Sequence, residues 1–322
     1  MFRRLLVAVA AGTFLLSSFA TSAQDYPAKP ITLVVPYGPG GPADTAARLV
    51  AEIAGRSLGQ RIVIENKPGA ATRLAAMQIA RAPKDGYTLF ECTSSTMLAA
   101  ALARNAGFTV DDFAPISLIA QNPFVMSVPP ELPVNDARAF VEYAKARPGQ
   151  LNFGSLGAGS AEEIMGRWFA HLTGLQMVPV PYKGGLVAAL QDLMAGRIQL
   201  MFDAIGNSAP HHHGKRIRIL GVATSTRVDT LPDVPTLTEQ GFPLVDGTWL
   251  AICAPAGTPE PVLARLGREI AAAVASEEYQ AKIKAQGTVP ASSASPADFL
   301  AFIKTYVGRW SDMTRTLGIE LE

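Results

Sequence analysis

The stretch VVPYGPGGPAD (residues 34–44) decides the fold. Apolar residues typical of a buried strand end there in a loop of Gly and Pro, and a helical pattern begins directly afterwards. The first turn of a helix leaves backbone N–H groups without partners, and the helix dipole makes that end positive. Glycine lets a ligand approach the backbone closely, so such a junction can bind an anion. The stretch therefore predicts an α/β fold with an anion site at the carboxyl end of a strand.

The alternation of strand and helix patterns occurs twice along the chain. Strand patterns at 30–37, 61–66 and 87–95 alternate with helical ones, as in a parallel α/β sheet, and the pattern restarts at 151–155. We expect an α/β fold of two lobes with parallel or mixed sheets, joined by strands that cross near residues 115–128 and 245–254. The predicted lobes are residues 25–122 plus 248–322, and residues 123–247.

The remaining C-terminal sequence predicts helices. One helical tract covers residues 259–287. A second starts at Ser295, where Pro296 at the first helical position and Asp298 in the first turn form a good N-terminal cap.

The first 24 residues have the features of a cleavable signal peptide. Arg3 and Arg4 precede an apolar stretch over residues 5–19, and small residues follow at 21–23. The alternative is a membrane anchor, but the stretch is shorter than the about 20 residues that cross a bilayer. We therefore expect a protein exported to the periplasm.

Charge and cysteine content limit the partners and the covalent structure. The whole chain carries a net charge of +1, so removal of two Arg leaves the mature chain near −1 and gives no reason to expect nucleic acid. Cys92 and Cys253 could pair in an oxidising compartment. We expect two separate buried thiols instead, because Cys is so often a core residue.

Four Gly-rich junctions resemble one another, at residues 38–44, 69–72, 155–160 and 182–185. The first two belong to one predicted lobe and the last two to the other, so we expect them to meet across a cleft. The predicted ligand-binding residues are Tyr37, Gly38, Pro39, Gly40, Gly41, Asp44, Thr72, Arg73, Thr93, Ser94, Ser155, Gly157, Ala158, Gly159, Ser160, Tyr182, Lys183, Gly184 and Asp203.

Three of these residues have a second interpretation. Asp44 can act as a first-turn acid that stabilises the helix dipole. Tyr182 is either a core aromatic or a hydrogen-bond donor to the ligand. Asp203 either caps a turn or lines the cleft.

Motifs of catalysis and cofactor binding are weak or missing. The Gly38-x-Gly40 match to a dinucleotide fingerprint is interrupted by prolines, and the sequence has no P-loop and no G-x-S-x-G motif. Residues His211, His212 and His213 are consecutive and cannot share one face of a helix or strand, so we interpret them as a solvated loop rather than a metal site. No nucleophile can be paired with a base. We expect no enzyme activity, no cofactor and no metal.

An ordered set of motifs resembles the Bug-type solute-binding receptors of tripartite tricarboxylate transporters, from about Tyr26 to the C-terminus. These motifs are YPAKPITLVVPYGPGGPADTAAR (26–48), LGQRIVIENKPGA (58–70), PKDGYTLF (83–90), GSLGAGS (154–160), VPYKGG (180–185), LPDVPTLTEQGFP (231–243) and APAGTP (254–259).

The resemblance implies a type II-like Venus-flytrap periplasmic binding protein. Such a receptor binds a small carboxylate and delivers it to a membrane permease. It also implies that the loop from Tyr37 to Asp44 and the junction from Ser155 to Ser160 hold a ligand carboxylate through backbone amides, hydroxyls and bridging waters. A monomer is expected. The alternatives are a sensor subunit that presents its ligand to a membrane kinase, and a hydrolase of small esters.

The sequence departs from the family pattern at two helix starts. Ala71, Thr72 and Arg73 stand where relatives usually have glycines and a small polar residue, so Arg73 either meets a second ligand carboxylate or points to solvent. Glu163 and Arg167 stand where relatives commonly have His and Glu, and their spacing predicts an i,i+4 ion pair.

Overall fold

The computed structural model describes residues 26–319, apart from positions 104, 158, 183 and 184 and the side chain of residue 71. The predicted signal peptide lies outside these residues. In the described part of the chain there are ten strands and ten α-helices. None of the helices in this part is long and apolar enough to cross a membrane.

The first α/β unit has the predicted alternation of strands and helices. It consists of β1 (Ile31–Val35), α1 (Pro42–Leu58), β2 (Ile62–Asn66), α2 (Arg73–Ala80), β3 (Thr88–Thr93) and α3 (Ser94–Leu102). Strand β1 lies between β2 and β3 and is parallel to both. The carboxyl ends of all three strands therefore point to one edge of the sheet.

The second unit begins after the long strand β4 (Phe113–Val128). It consists of α4 (Ala137–Lys145), β5 (Leu151–Ser155), α5 (Ala161–Thr173), β6 (Met177–Pro181), α6 (Leu186–Met194), β7 (Met201–Ala204), α7 (Ile205–His213) and β8 (Arg218–Val222). Strands β5 and β6 are parallel, and both β7 and β8 run antiparallel to the second half of β4.

The chain returns to the first unit through β9 (Gly247–Pro255), which pairs antiparallel with β3 and with β4. Strand β4 therefore belongs to both sheets: its first half pairs β9, and its second half pairs β7 and β8. These are the two predicted crossings, and the two-lobed α/β architecture is confirmed.

Two elements differ from their predictions near the C-terminus. The single predicted helical tract is two helices, α8 (Glu260–Ala275) and α9 (Glu277–Ala285). Ser276 separates them because its backbone is extended, and its side chain accepts from the N–H of Tyr279 to start α9. After β10 (Val289–Pro290), helix α10 (Pro296–Leu317) begins as predicted, with Ser295 accepting from the N–H of Asp298.

The cysteines are paired, so the prediction of two separate thiols is wrong. Cys92 on β3 and Cys253 on β9 form a disulfide with a Cα–Cα distance of 5.8 Å. Both are fully buried, as predicted, but β3 and β9 are hydrogen-bonded neighbours, and this brings the two thiols together.

The three histidines are not in a loop, and this prediction is also wrong. His211, His212 and His213 form the last turn of α7, and the ring of His212 accepts the N–H of Ile219 through Nδ1 at 3.1 Å. This contact fixes His212 against β8. Among the described residues, no cluster of His, Cys, Asp or Glu has the geometry of a metal site.

Candidate ligand-binding site

The register of the crossing strands brings the two lobes' strand ends near one another. Thr93, at the end of β3, pairs with Leu250, which pairs with Ala120 of β4. Ala204, at the end of β7, pairs with Phe124 of the same strand. Four residues of a strand span about 13 Å. The helix starts that follow β3 and β7 therefore border the same cleft at the crossing strands.

We call the first α/β unit, with β9 and the C-terminal helices, lobe 1, and the second unit lobe 2. Side-chain hydroxyls gather at this point on lobe 1. Thr96 donates to Thr72 at 3.0 Å, and its hydroxyl is 3.1 Å from that of Thr93. The phenol of Tyr37 lies within hydrogen-bonding reach of Thr93 and Ser95. We call this group the hydroxyl cluster: Tyr37, Thr72, Thr93, Ser94, Ser95 and Thr96.

The sequence fragment that builds the hydroxyl cluster is TSST (residues 93–96), where β3 ends and α3 begins. Thr93 caps α3, because its side chain accepts the N–H of Thr96. Hydroxyls can donate to a ligand oxygen without carrying charge. Ser95 and Thr96 were not predicted, although four consecutive hydroxyl residues after a buried strand would have been a sufficient signal.

The first Gly-rich loop is open, and Asp44 holds it in place. Gly38, Pro39 and Gly40 are exposed, and a Cβ added to Gly38 or Gly40 would meet nothing within 4 Å. The carboxylate of Asp44 accepts the N–H of Gly40 at 2.9 Å.

Asp44 itself is buried and fully occupied by protein donors. It also accepts from Arg48 at 2.8 Å and from Asn66 at 2.7 Å. Burial alone would raise the pKa of Asp44, but the hydrogen bonds from Arg48, Gly40 and Asn66 outweigh burial and keep the pKa below its usual value. Asp44 thus positions the loop and α1, and its charge is neutralised within lobe 1.

The junction between β5 and α5 uses several of its own amides. The N–H of Gly157 donates to Ser155 Oγ at 3.0 Å, and the N–H of Leu156 donates to Ser160 Oγ at 3.2 Å. The N–H of Gly159 donates to Glu163 at 3.2 Å. In this arrangement these three amides stabilise the loop itself, so the predicted contacts of Gly157 and Gly159 with an anion would require the loop to rearrange.

Two acids lie beside this junction, the buried Asp203 and the half-buried Glu162. Asp203 is fully buried at the end of β7, and Ser208 donates to its Oδ1 at 2.6 Å. Within the described part of the chain its Oδ2 has no hydrogen bond of good geometry, but the side chain of Asn207 is close enough to help hold the pKa of Asp203 down. Burial raises the pKa of Asp203 to about 7, and the nearby carboxyl of Glu162 contributes to the rise. Burial also raises the pKa of Glu162, which was not predicted as a site residue.

The other predicted residues are placed as follows. The hydroxyl of Tyr182 donates to Asp192 at 2.8 Å, within lobe 2. Arg73 is half-buried and is the first residue of α2, next to Thr72 of the hydroxyl cluster. Ala158, Lys183 and Gly184 lie outside the described residues.

The predicted ion pair at the start of α5 is confirmed. Arg167 contacts Glu163 at 2.7 Å, and the side chain of Glu163 is only 8% exposed. The charge of Glu163 is therefore balanced by Arg167.

An α/β molecule with two sheets that share a crossing strand, and with helix starts from both sheets beside the crossing, is a two-lobed solute-binding protein. The chain belongs to the TctC family of tripartite tricarboxylate transporter receptors, whose family model matches residues 46–319. Members of this family are binding proteins of transporters and not enzymes.

Several known proteins are similar along almost their whole length. Protein BugT of Bordetella pertussis (strain Tohama I) is 32% identical over 305 residues, which cover 94% of this chain and 93% of BugT. An R. palustris protein solved with adipate is 33% identical, with a TM-score of 0.73, covering 92% of this chain and 99% of that one. MatC from Rhodopseudomonas palustris, solved with bound malate, is 30% identical, with a TM-score of 0.68. The match covers 89% of this chain and 99% of MatC.

Proposed function

We propose that this protein captures a small carboxylate between its lobes in the periplasm and delivers it to a membrane permease of the tripartite tricarboxylate type. The observation that carries the proposal is the hydroxyl cluster beside the open loop at residues 38–41. Hydroxyls and main-chain N–H groups at helix starts can donate hydrogen bonds to a carboxylate. The malate and adipate in the two similar R. palustris structures support this ligand class.

Closure of the lobes is the expected response to ligand. A ligand shifts the balance between open and closed forms only through its different affinity for the two. Groups from lobe 1 and lobe 2 can act on the ligand together only when the lobes are closed. The permease would then recognise the closed surface. We further propose that the protein acts as a monomer and that residues 1–24 are removed on export.

Binding is tested by thermal-shift screening with a carboxylate library, followed by calorimetry on the best ligands. A ligand that binds only the folded protein raises the midpoint of unfolding. Tyr37→Phe should weaken binding by about tenfold, because it removes one hydroxyl of the hydroxyl cluster. Tyr26→Phe is the matched control, because the hydroxyl of Tyr26 bonds to Gly86 elsewhere. If no carboxylate raises the midpoint, the proposed ligand class is wrong.

Delivery to a permease needs a separate test. Uptake of the identified ligand should be lost when the gene for this protein is deleted and restored by the wild-type gene. Normal uptake in the deletion strain would contradict the transport role, even with tight binding in solution.

A further inference from the structure

A cavity with two chambers lies beside the crossing strands. The inner chamber has a volume of about 100 Å³, and the outer chamber has a volume of about 430 Å³. The two chambers adjoin, because five residues line both of them: Gln121, Pro123, Thr224, Val245 and Phe302. We call the two chambers together the hinge cavity.

The hinge cavity is separate from the candidate ligand-binding site. The strands of the sheet lie in the order β10, β4, β9, β3. The hydroxyl cluster includes the end of β3, whereas Val289 and Pro290 of β10 line the outer chamber. The hydroxyl cluster and the outer chamber therefore lie on opposite sides of the crossing pair β4 and β9. Within the described part of the chain, no residue of the hydroxyl cluster and no predicted ligand-binding residue lines either chamber.

We propose that the hinge cavity is a second binding site, which takes a small monocarboxylate with a short apolar body. The proposal does not depend on which ligand binds in the cleft, since the two sites share no lining residue among those described.

The first argument is the indole of Trp249, which lines the inner chamber and is only 2% exposed. Its Nε1 has no acceptor among the described residues. Phe302 and Tyr306 lie edge-to-face with the indole at 5.7 Å, and an aromatic face is only a weak acceptor. Native proteins seldom leave a buried donor without a partner. A ligand oxygen in the inner chamber supplies the missing acceptor.

The second argument is Arg309, which lines the inner chamber from α10. Its Nε donates to Asp246 at 2.9 Å, and within the described part of the chain this is the only hydrogen bond of its guanidinium. Asp246 is itself held in place, because it also accepts from Gly247 at 2.8 Å and from Trp310 at 3.1 Å. The guanidinium is thus fixed at one end while its two Nη groups are available. Such a guanidinium edge can bind both oxygens of a carboxylate.

The third argument is the size and chemistry of the inner chamber. A cavity of about 150 Å³ can hold benzene, so a chamber of about 100 Å³ suits about four to six heavy atoms, from acetate to butyrate. Pro123, Val245 and Phe302 provide apolar walls for the body of such a ligand. A carboxylate only accepts hydrogen bonds, and this matches the unused donors of Trp249 and Arg309.

The same inner chamber disfavours a ligand with two negative charges. Among its described lining residues, Arg309 is the only Lys or Arg, and Asp246 already balances its charge. A second carboxylate in this chamber would be buried without a cation, which is costly.

The experiment follows the three indole N–H signals of Trp168, Trp249 and Trp310 by NMR in protein labelled with ¹⁵N. Butyrate is titrated at pH 7 into the protein without residues 1–24, and Trp249→Phe assigns the Trp249 signal. We expect the Trp249 signal to shift in a saturable manner, while the signal of Trp168, on α5, stays in place. Butyramide, which has the same shape but no charge, should bind at least about tenfold more weakly.

Two variants test the site. Arg309→Lys keeps a cation beside Asp246 but loses the guanidinium edge, so it should weaken butyrate binding about tenfold. Val245→Phe places a larger side chain where the two chambers adjoin and should weaken binding at least as much. Arg315→Lys is the matched control, because Arg315 is on the same helix and pairs with Asp312 away from the cavity. It should leave binding unchanged.

Binding in the cleft has to be distinguished, because the main-chain N–H of Trp249 donates to Ser94 of the hydroxyl cluster at 3.4 Å. Butyrate in the cleft could therefore also shift the Trp249 signal. Tyr37→Phe should leave the titration unchanged if butyrate binds in the hinge cavity. A shift that is lost in Tyr37→Phe and kept in Val245→Phe would contradict the proposal.

Three further results would overturn it. In one, butyrate causes no saturable shift of the Trp249 signal. In another, butyramide binds as tightly as butyrate. In the last, the affinity for butyrate is unchanged in both Arg309→Lys and Val245→Phe. Thermal unfolding verifies that each variant is folded, and Val245→Phe, at a position that is 41% exposed, decides if Arg309→Lys does not fold.

Discussion

Gly206 and Gly287 touch each other where the two lobes meet. A Cβ placed on Gly287 would lie 2.7 Å from the Cα of Gly206, so only glycine fits. Gly206 is in the first turn of α7 in lobe 2, and Gly287 follows α9 in lobe 1. The backbones of the two lobes are therefore in direct contact beside the crossing strand β4.

Gly287→Ala should weaken this contact and destabilise the protein. The added methyl group has no space, and overpacking typically costs about 1–3 kcal/mol. Gly149→Ala is the matched control, because Gly149 has almost the same φ (71° against 72°) but open space around its Cβ. Thermal unfolding should show a larger loss for Gly287→Ala than for Gly149→Ala. Equal losses would mean that backbone conformation, and not the contact between lobes, requires glycine.

The disulfide should contribute substantially to stability. It joins residues 161 positions apart in sequence, and removing a native disulfide typically costs about 2–4 kcal/mol. We expect the double variant Cys92→Ala/Cys253→Ala to unfold at lower denaturant concentration than the oxidised protein. The reduced wild-type protein is the control, because it keeps both side chains. If reduction leaves the midpoint unchanged, the disulfide contributes nothing to stability.

The buried side chain of Glu91 should make the stability of the protein depend on pH. Its side chain is fully buried on β3, and neither carboxyl oxygen has a partner among the described residues. Burial, and then the charge of Asp44, raise the pKa of Glu91 well above its usual value. The folded protein therefore keeps a proton that the unfolded chain releases above about pH 4.3.

The direction in which stability changes with pH follows from the number of protons that the folded and unfolded states bind. Because the folded state binds the extra proton, Glu91 lowers stability as pH rises above the unfolded pKa, by up to about 1.4 kcal/mol per pH unit. Glu91→Gln should match the wild type most closely near pH 4 and gain on it as pH rises, until the pH passes the raised pKa of Glu91 in the folded state, as measured by chemical unfolding. Glu142→Gln, whose side chain is 74% exposed, is the control. A difference between Glu91→Gln and wild type that does not change with pH would contradict this account.

Thr96 links the hydroxyl cluster, since it bonds to both Thr72 and Thr93. Thr96→Val keeps the shape of the side chain but removes the hydroxyl that donates to the buried Thr72, and a buried polar group left without its partner costs about 1–3 kcal/mol. We expect lower stability together with weaker ligand binding. Thr314→Val, in which a buried Thr of α10 loses its bond to Trp310, should lower stability alone. Unchanged affinity in Thr96→Val would remove the cluster from the binding site.

Sequence patterns predicted the architecture well because each is a local property. Strand and helix alternation gave both units, and the capping residues at Ser295 and Pro296 gave the start of α10. The break at Ser276 was missed because only the backbone conformation of one residue divides two helical patterns. The pairing of Cys92 with Cys253 was missed because it depends on β3 and β9 being neighbours, which no local pattern reveals.

The candidate site was harder to predict, because it too depends on contacts that no local sequence pattern reveals. The Gly-rich loops identify where a ligand can approach the backbone, but not whether their amides are already bonded. That Ser155 and Ser160 accept from the loop amides depends on side-chain rotamers. Glu162 gives no signal in sequence, because an acid in the first turn of a helix is ordinary, and only its burial near Asp203 makes it unusual.

The long strand β4 has a consequence for how the molecule melts. Since one continuous strand of 16 residues contributes to both sheets, neither half of the protein can lose its sheet without disrupting the other. Calorimetric scans should therefore give one cooperative heat-absorption peak for the entire molecule, rather than two successive peaks from independent units.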